Sequence, residues 1–176
     1  MALEIRPVTH ITVDAIGRPG RRVFYLQASR ETHLVTLIIE KEHALALISG
    51  LDELLAGFPE GDRGLFAAGS PPSDLGLREP IDPLFRVGHM ALAYDSEADL
   101  IVLVAYSLVR KETEDEQDVP AVRFWGTREQ MRVLRNQALA AVNEGRPACS
   151  LCGELIDPEG HFCPRRNGHG NAMLGR

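Results

Sequence analysis

Three cysteines and two histidines crowd into residues 149–170, which read CSLCGELIDPEGHFCPRRNGHG. Cys149 and Cys152 form a C-x-x-C pair followed at once by Gly153. That spacing lets two thiolates reach one ion across a tight turn, and the glycine permits the positive φ that aims backbone amides at sulfur. His161 and Cys163 follow as an H-x-C pair. Residues two apart in an extended segment share a face, so both side chains can meet the first pair. The stretch ELIDPEG, with its Pro and Gly, turns the chain between the two pairs. Thiolates and imidazole at tetrahedral spacing suit Zn2+, and a closed set of four protein ligands makes the expected zinc structural rather than catalytic. His169 also has finger-like spacing after Cys163 and stands as the alternative fourth ligand. If His161 and His169 exchanged with water, a catalytic position would open instead.

A reducing compartment favours metal over disulfides for such a cluster. The N-terminal MALEIRPVTH is too polar for a signal peptide, and the longest apolar run, LIVLVAYSLV at 100–109, is half a membrane span. The expectation is a cytoplasmic protein with no membrane partner. At 176 residues, 44% hydrophobic and 25% charged, the chain has the balance of a globular domain with a small appendage. The net charge of −6 argues against a general nucleic-acid binder, yet it is uneven. Residues 1–126 carry 20 acidic and 12 basic side chains; residues 127–176 carry 5 and 7.

The elements that must position the cysteines read as two similar halves. VTHITVDAI (8–16) and RVFYLQA (22–28) are strand-like runs around the turn GRPG, and HLVTLIIE (33–40) is a third strand. Apolar residues then recur at helical spacing through 41–56, and Gly57 with Pro59 ends that helix. Residues 57–83 are a Gly- and Pro-rich excursion. LFRVGHMALAY (84–94) and LIVLVAYSLV (100–109) flank the turn DSEAD, and after an acidic loop at 112–118 comes the short strand AVRFWG (121–126). A last helix starts at Thr127, with Gln130 closing a capping box, and stops at Gly145 and Pro147. Val8 and His10 lie over Val87 and His89, which suggests a repeated β-β-β-α unit. The expected fold is α+β: a mostly antiparallel sheet with helices on one face, in a domain of residues 1–146, plus a zinc-knuckle tail at 147–176.

Two further groups invite chemistry. Arg128, Arg132 and Arg135 lie beside the apolar stripe of the last helix. With Arg123, Arg165 and Arg166 near Trp125 they would form an anion-binding patch; the plainer reading is a solvated face paired to Glu129 and the acidic loop. His10, Thr12 and Asp14 alternate onto one face of the first strand, with Arg21, Arg22 and Gln27 on its neighbour. Such a face lines a pocket or, more commonly, is the wet side of a sheet. His89 shares its strand face with Phe85 and Val87 and reads as a core or interface histidine. The usual nucleotide-binding and hydrolase signatures do not occur in the sequence.

The segments GRPGRRVFYLQA, EKEHALALISGLDELL, PLFRVGHMALAYD and FWGTREQMRVLRNQALAAVNEGRPACSLCGELIDPEGHFCPRRNG resemble successive motifs of a bacterial family designated domain of unknown function 3090. The likeness spans nearly the whole chain and is most specific in the C-terminal block. Ser150 stands where that pattern leads one to expect proline, and the ligand positions are unaffected. The resemblance implies no activity and assigns no catalytic residue.

Three functional readings follow. The favoured one is a binding or adaptor protein whose structural zinc pins the tail against the last helix. It would engage a protein partner or small anionic ligand through the arginine-bearing region. An enzyme of phosphate-ester or nucleotide metabolism would use an arginine-lined pocket, with His10 or Asp14 in acid–base roles. A nucleic-acid-binding zinc-ribbon protein is disfavoured by the acidic body. The oligomeric state is left open.

Overall fold

The computed structural model describes residues 2–59, 75–108, 119–144, 149–154, 156 and 161–167. The helix stop at Gly145 and Pro147, the acidic loop 112–118, most of the Gly/Pro excursion and His169 lie outside these residues.

Seven strands and two long helices form an α+β fold. The elements run β1 (Ala2–Ile5), β2 (His10–Ile16), β3 (Val23–Arg30), β4 (His33–Ile39), α1 (Lys41–Ala56), β5 (Pro83–Asp95), β6 (Leu100–Ser107), β7 (Ala121–Gly126), α2 (Arg128–Asn143) and the short turn α3 (Pro164–Asn167). The strand order is β1-β7-β6-β5-β4-β3-β2. Pairing is antiparallel except at β1–β7 and β4–β5. Strand β1 is the seventh strand, added to the six that the sequence pattern indicates.

The two halves repeat in register. His10 pairs with Ser29, and His89 pairs with Tyr106. The row Thr12–Gln27–Thr36 corresponds to Ala91–Val104–Arg123, and Asp14–Tyr25–Ile38 to Ala93–Val102–Trp125. Helices α1 and α2 are 16 residues each. In both, the third helical residue reaches back to the cap backbone and across to the other half, to β5 from α1 and to the link before β2 from α2. The Glu40 amide donates to His43 Nδ1 (3.1 Å), and His43 Nε2 lies 3.2 Å from the Gly88 carbonyl. The Thr127 amide donates to Gln130 Oε1 (2.9 Å), and Gln130 Nε2 donates to the Val8 carbonyl (2.8 Å). Such a cap fixes both the helix start and its docking angle.

Strand β5 matches β1 and β2 taken together: its beginning lies parallel to β4 and the rest pairs with β6. In the first half the switch falls between Val8, whose amide donates to the Trp125 carbonyl, and Thr9, whose amide donates to the Ser29 carbonyl (both 2.8 Å). Residues 6–9 therefore join the two ends of the sheet, which must roll to let them meet.

The core is one cluster. Ile11, Val13, Leu26, Leu37, Ile101, Leu103, Val122 and Phe124 supply its sheet side; Ala44, Leu47, Leu51, Met131, Leu134 and Ala138 supply the helices. Leu134 and Phe124 are fully buried, and burying a side chain of that size stabilises by about 1.5–3 kcal/mol. Arg22 closes the far end of α2: its guanidinium donates to the carbonyls of Ala141 (3.0 Å) and Glu144 (2.9 Å), where the helix leaves carbonyls unsatisfied.

Candidate metal centre

The chain leaves α2 and reaches the cysteine-bearing segment six residues later. The Gly153 amide donates to the Cys149 carbonyl (2.8 Å), and the Cys149 amide to the Glu154 carbonyl (2.7 Å). Gly153 has φ +78°, in the left-handed region that a glycine enters freely. The turn sets Cys149 and Cys152 side by side. Arg165, from α3, donates to the Leu151 carbonyl at 2.8 Å and ties the second half of the segment to the first.

Cys149, Cys152, His161 and Cys163 each present one donor atom, and the four lie within 4.8 Å of one another. Cys149 and Cys163 sulfurs are 3.8 Å apart; Cys152 Sγ is 3.3 Å from His161 Nε2. With zinc–sulfur bonds of about 2.3 Å, the S···S edge of a tetrahedron is about 3.8 Å, and the S···N edge is about 3.6 Å. The donor set thus fits a four-coordinate metal. Cys149 and Cys163 are buried, while Cys152 and His161 are half-buried.

The amides of Cys152 and then Leu151 donate to the Cys149 sulfur and hold its thiol down at about 6. Cys152 differs: the Glu154 amide acts to lower its thiol, but burial and the Cys149 and Cys163 sulfurs together push it up. Sulfurs this close cannot all ionise without a compensating cation. A cation held among the four donors would supply that charge.

The candidate arginines each lie beside a different carboxylate. Arg123, on β7, pairs with Glu4 at 3.0 Å. Arg132 lies 3.9 Å from Glu129. Arg135 makes a two-pronged contact with Asp52 across the α1–α2 packing (2.8 and 2.9 Å), which lowers the Asp52 pKa. Arg128 is buried, 2.5 Å from Asp99 and 2.9 Å from the Tyr94 hydroxyl, with its guanidinium over the Phe58 ring. The hydrogen bond to Asp99 raises the Tyr94 phenol pKa. Asp99, at φ +52°, comes from the DSEAD turn, whose role in holding a helix start its composition did not reveal.

The polar strand face is neither wet nor an open pocket. His10, Thr12, Gln27, Ser29 and Thr36 are all buried, because residues 75–82 lie across them. Thr12 Oγ1 donates to the Leu75 carbonyl (2.6 Å). The Gln27 amide takes both backbone groups of Arg78 (2.7 and 2.9 Å) and also donates to Thr36 Oγ1 (2.9 Å). His10 therefore sits on the face opposite the helix-covered core, whereas Arg132 is on α2, so the two share no cleft. Two cavities, of about 500 and 360 Å³, open beside β1 and beside Pro7 and Thr127; none of the candidate arginines nor His10 lines either. His89, expected in the core or at an interface, is not in the core: it is exposed and stacks on Tyr106 with ring centroids 4.3 Å apart. No helix among the described residues is long and apolar enough to cross a membrane.

No curated protein matches the chain, and no solved structure does. The family model described as "Protein of unknown function (DUF3090)" matches residues 3–163, a span that takes in the seven strands but for Ala2 of β1, both long helices and all four donor residues, and the chain therefore belongs to the DUF3090 family.

Proposed function

We propose that the protein is a zinc-stabilised binding or adaptor protein, in which Cys149, Cys152, His161 and Cys163 hold one structural Zn2+. The observation that carries the metal reading is the convergence of four donors within 4.8 Å of one another, with two of the sulfurs buried and 3.8 Å apart. Soft thiolate and imidazole donors select zinc over harder ions. Four protein ligands fill its tetrahedron, so the metal supplies folding energy rather than a reactive water. The body is consistent with the binding reading: strand β5 carries the exposed side chains of His89, Ala91 and Ala93.

Chelation tests the structural role. Stripping the metal should raise hydrogen exchange and proteolysis across residues 149–167 and leave the exchange of the sheet unchanged. A stripped protein whose knuckle amides stay as protected as before would overturn it.

A further inference from the structure

The starts of α1 and α2 follow one plan with different side chains. Glu40 and Thr127 are the caps, and His43 and Gln130 occupy the third helical position of each. Each third residue accepts the cap amide with one atom and meets a main-chain carbonyl of the other half with a second. Gln130 does so with a carboxamide, whose oxygen accepts and whose nitrogen donates at any pH. His43 does so with an imidazole, and its two contacts fix the state of that ring. The Glu40 amide can only donate, so Nδ1 must be free of a proton. The Gly88 carbonyl can only accept, so the proton sits on Nε2. An imidazolium carries a proton on both nitrogens and would set its Nδ1–H against the Glu40 N–H.

We propose that His43 is a pH-sensitive latch between the start of α1 and strand β5, closed while the ring is neutral and opened when it takes a second proton. The ring is half-buried rather than sealed in the core, so protons reach it. The charges around it do not favour a cation at this place. The Glu40 carboxylate is ion-paired with Arg86 of β5. Lys41 and Glu42, beside His43 on α1, are of opposite sign. His89, next to Gly88 on β5, is stacked on Tyr106 of β6. A cation in the first turn of α1 also faces the positive end of the helix dipole. The latch is therefore present where imidazole is neutral and lost as pH falls through the range in which imidazole titrates. Gln130 has no such step, so the start of α2 stays closed across the same range. None of the four metal donors takes part, and the latch stands apart from the metal reading.

Amide hydrogen exchange of the full-length protein, followed by NMR from about pH 7.5 to about pH 5.5 and corrected for the intrinsic pH dependence of exchange, reads both caps at once. The Glu40 amide should lose about fivefold in protection along the titration curve of the His43 ring, the worth of one hydrogen bond. The Thr127 amide should stay level. The ring nitrogen shifts of His43 should show the Nε2–H tautomer at the upper end of the range. His43→Gln gives α1 the cap chemistry of α2 and should keep the fold while removing the step. Acid also protonates the thiols of the knuckle, equally in parent and variant, so the difference between the two proteins is the readout. A neutral ring with its proton on Nδ1, a Glu40 amide whose protection does not follow the His43 titration, an equal step at Thr127, or a step that persists in His43→Gln would overturn the latch.

Discussion

The body and the knuckle are held together by different physics. The body buries Phe124, Leu134, Leu103 and their neighbours in one cluster, and its strands exchange backbone hydrogen bonds around a rolled sheet. In the knuckle the buried side chains among the described residues are Cys149 and Cys163, both of them metal donors. Two of its large apolar side chains face outward, Leu151 at 47% and Phe162 at 74% exposed, while Ile156 is half-buried. A segment that turns its Phe to solvent and its sulfurs inward shows no hydrophobic core among the described residues to offset chain entropy, and on the proposed reading a metal does so. The body should be indifferent to metal, and the knuckle indifferent to cavities in the body.

The sharpest way to break that contrast is to remove a ligand. Cys163→Ser should abolish stoichiometric zinc and unfold the knuckle, because structural zinc contributes about 10–16 kcal/mol to such segments. The melting temperature of the body should not move. The converse is Phe124→Ala, which should destabilise the body by about 3–5 kcal/mol, read by denaturant unfolding, and leave one zinc per chain. Gln27→Ala comes next. It strands both Arg78 backbone groups and the Thr36 hydroxyl, and should cost about 1–3 kcal/mol while raising hydrogen exchange at Arg78. The smallest effect belongs to the exposed pair of Asp52 and Arg135. Arg135 lowers the Asp52 pKa in the folded state, so its contribution is present above the ordinary carboxylate pKa and lost as pH falls through the lower folded value. Asp52→Asn should therefore remove about 0.5 kcal/mol or less near neutral pH and nothing in acid.

The same contrast explains what was legible in the sequence. The knuckle's four donors fall within 15 residues, so spacing alone brings them to one point. The helices and the six longer strands announce themselves by local period, and the match of Val8 and His10 to Val87 and His89 marks a repeat that the register carries through. What escaped depends on distant partners. Strand β1 has four residues and exists because Ala121–Phe124 lies beside it, 119 residues along the chain. The alternation of His10, Thr12 and Asp14 is what a wet sheet face produces, and nothing local in Leu75–Asp82 tells that it lies across Thr12 and Gln27. Helical spacing put Arg128, Arg132 and Arg135 on one stripe, but Arg128, at the first turn, is drawn inward by Asp99 from the β5–β6 turn. Burial of a charge is decided by its partner, and that partner is remote in sequence.

The central claim is that the knuckle exists because a metal holds it. Native mass spectrometry of protein purified from its own host, without added zinc or chelator, measures this directly. The account predicts a mass increment of one zinc per chain that disappears in Cys149→Ser. A native protein of metal-free mass, with its thiols reduced and residues 149–167 still protected from exchange, would contradict it.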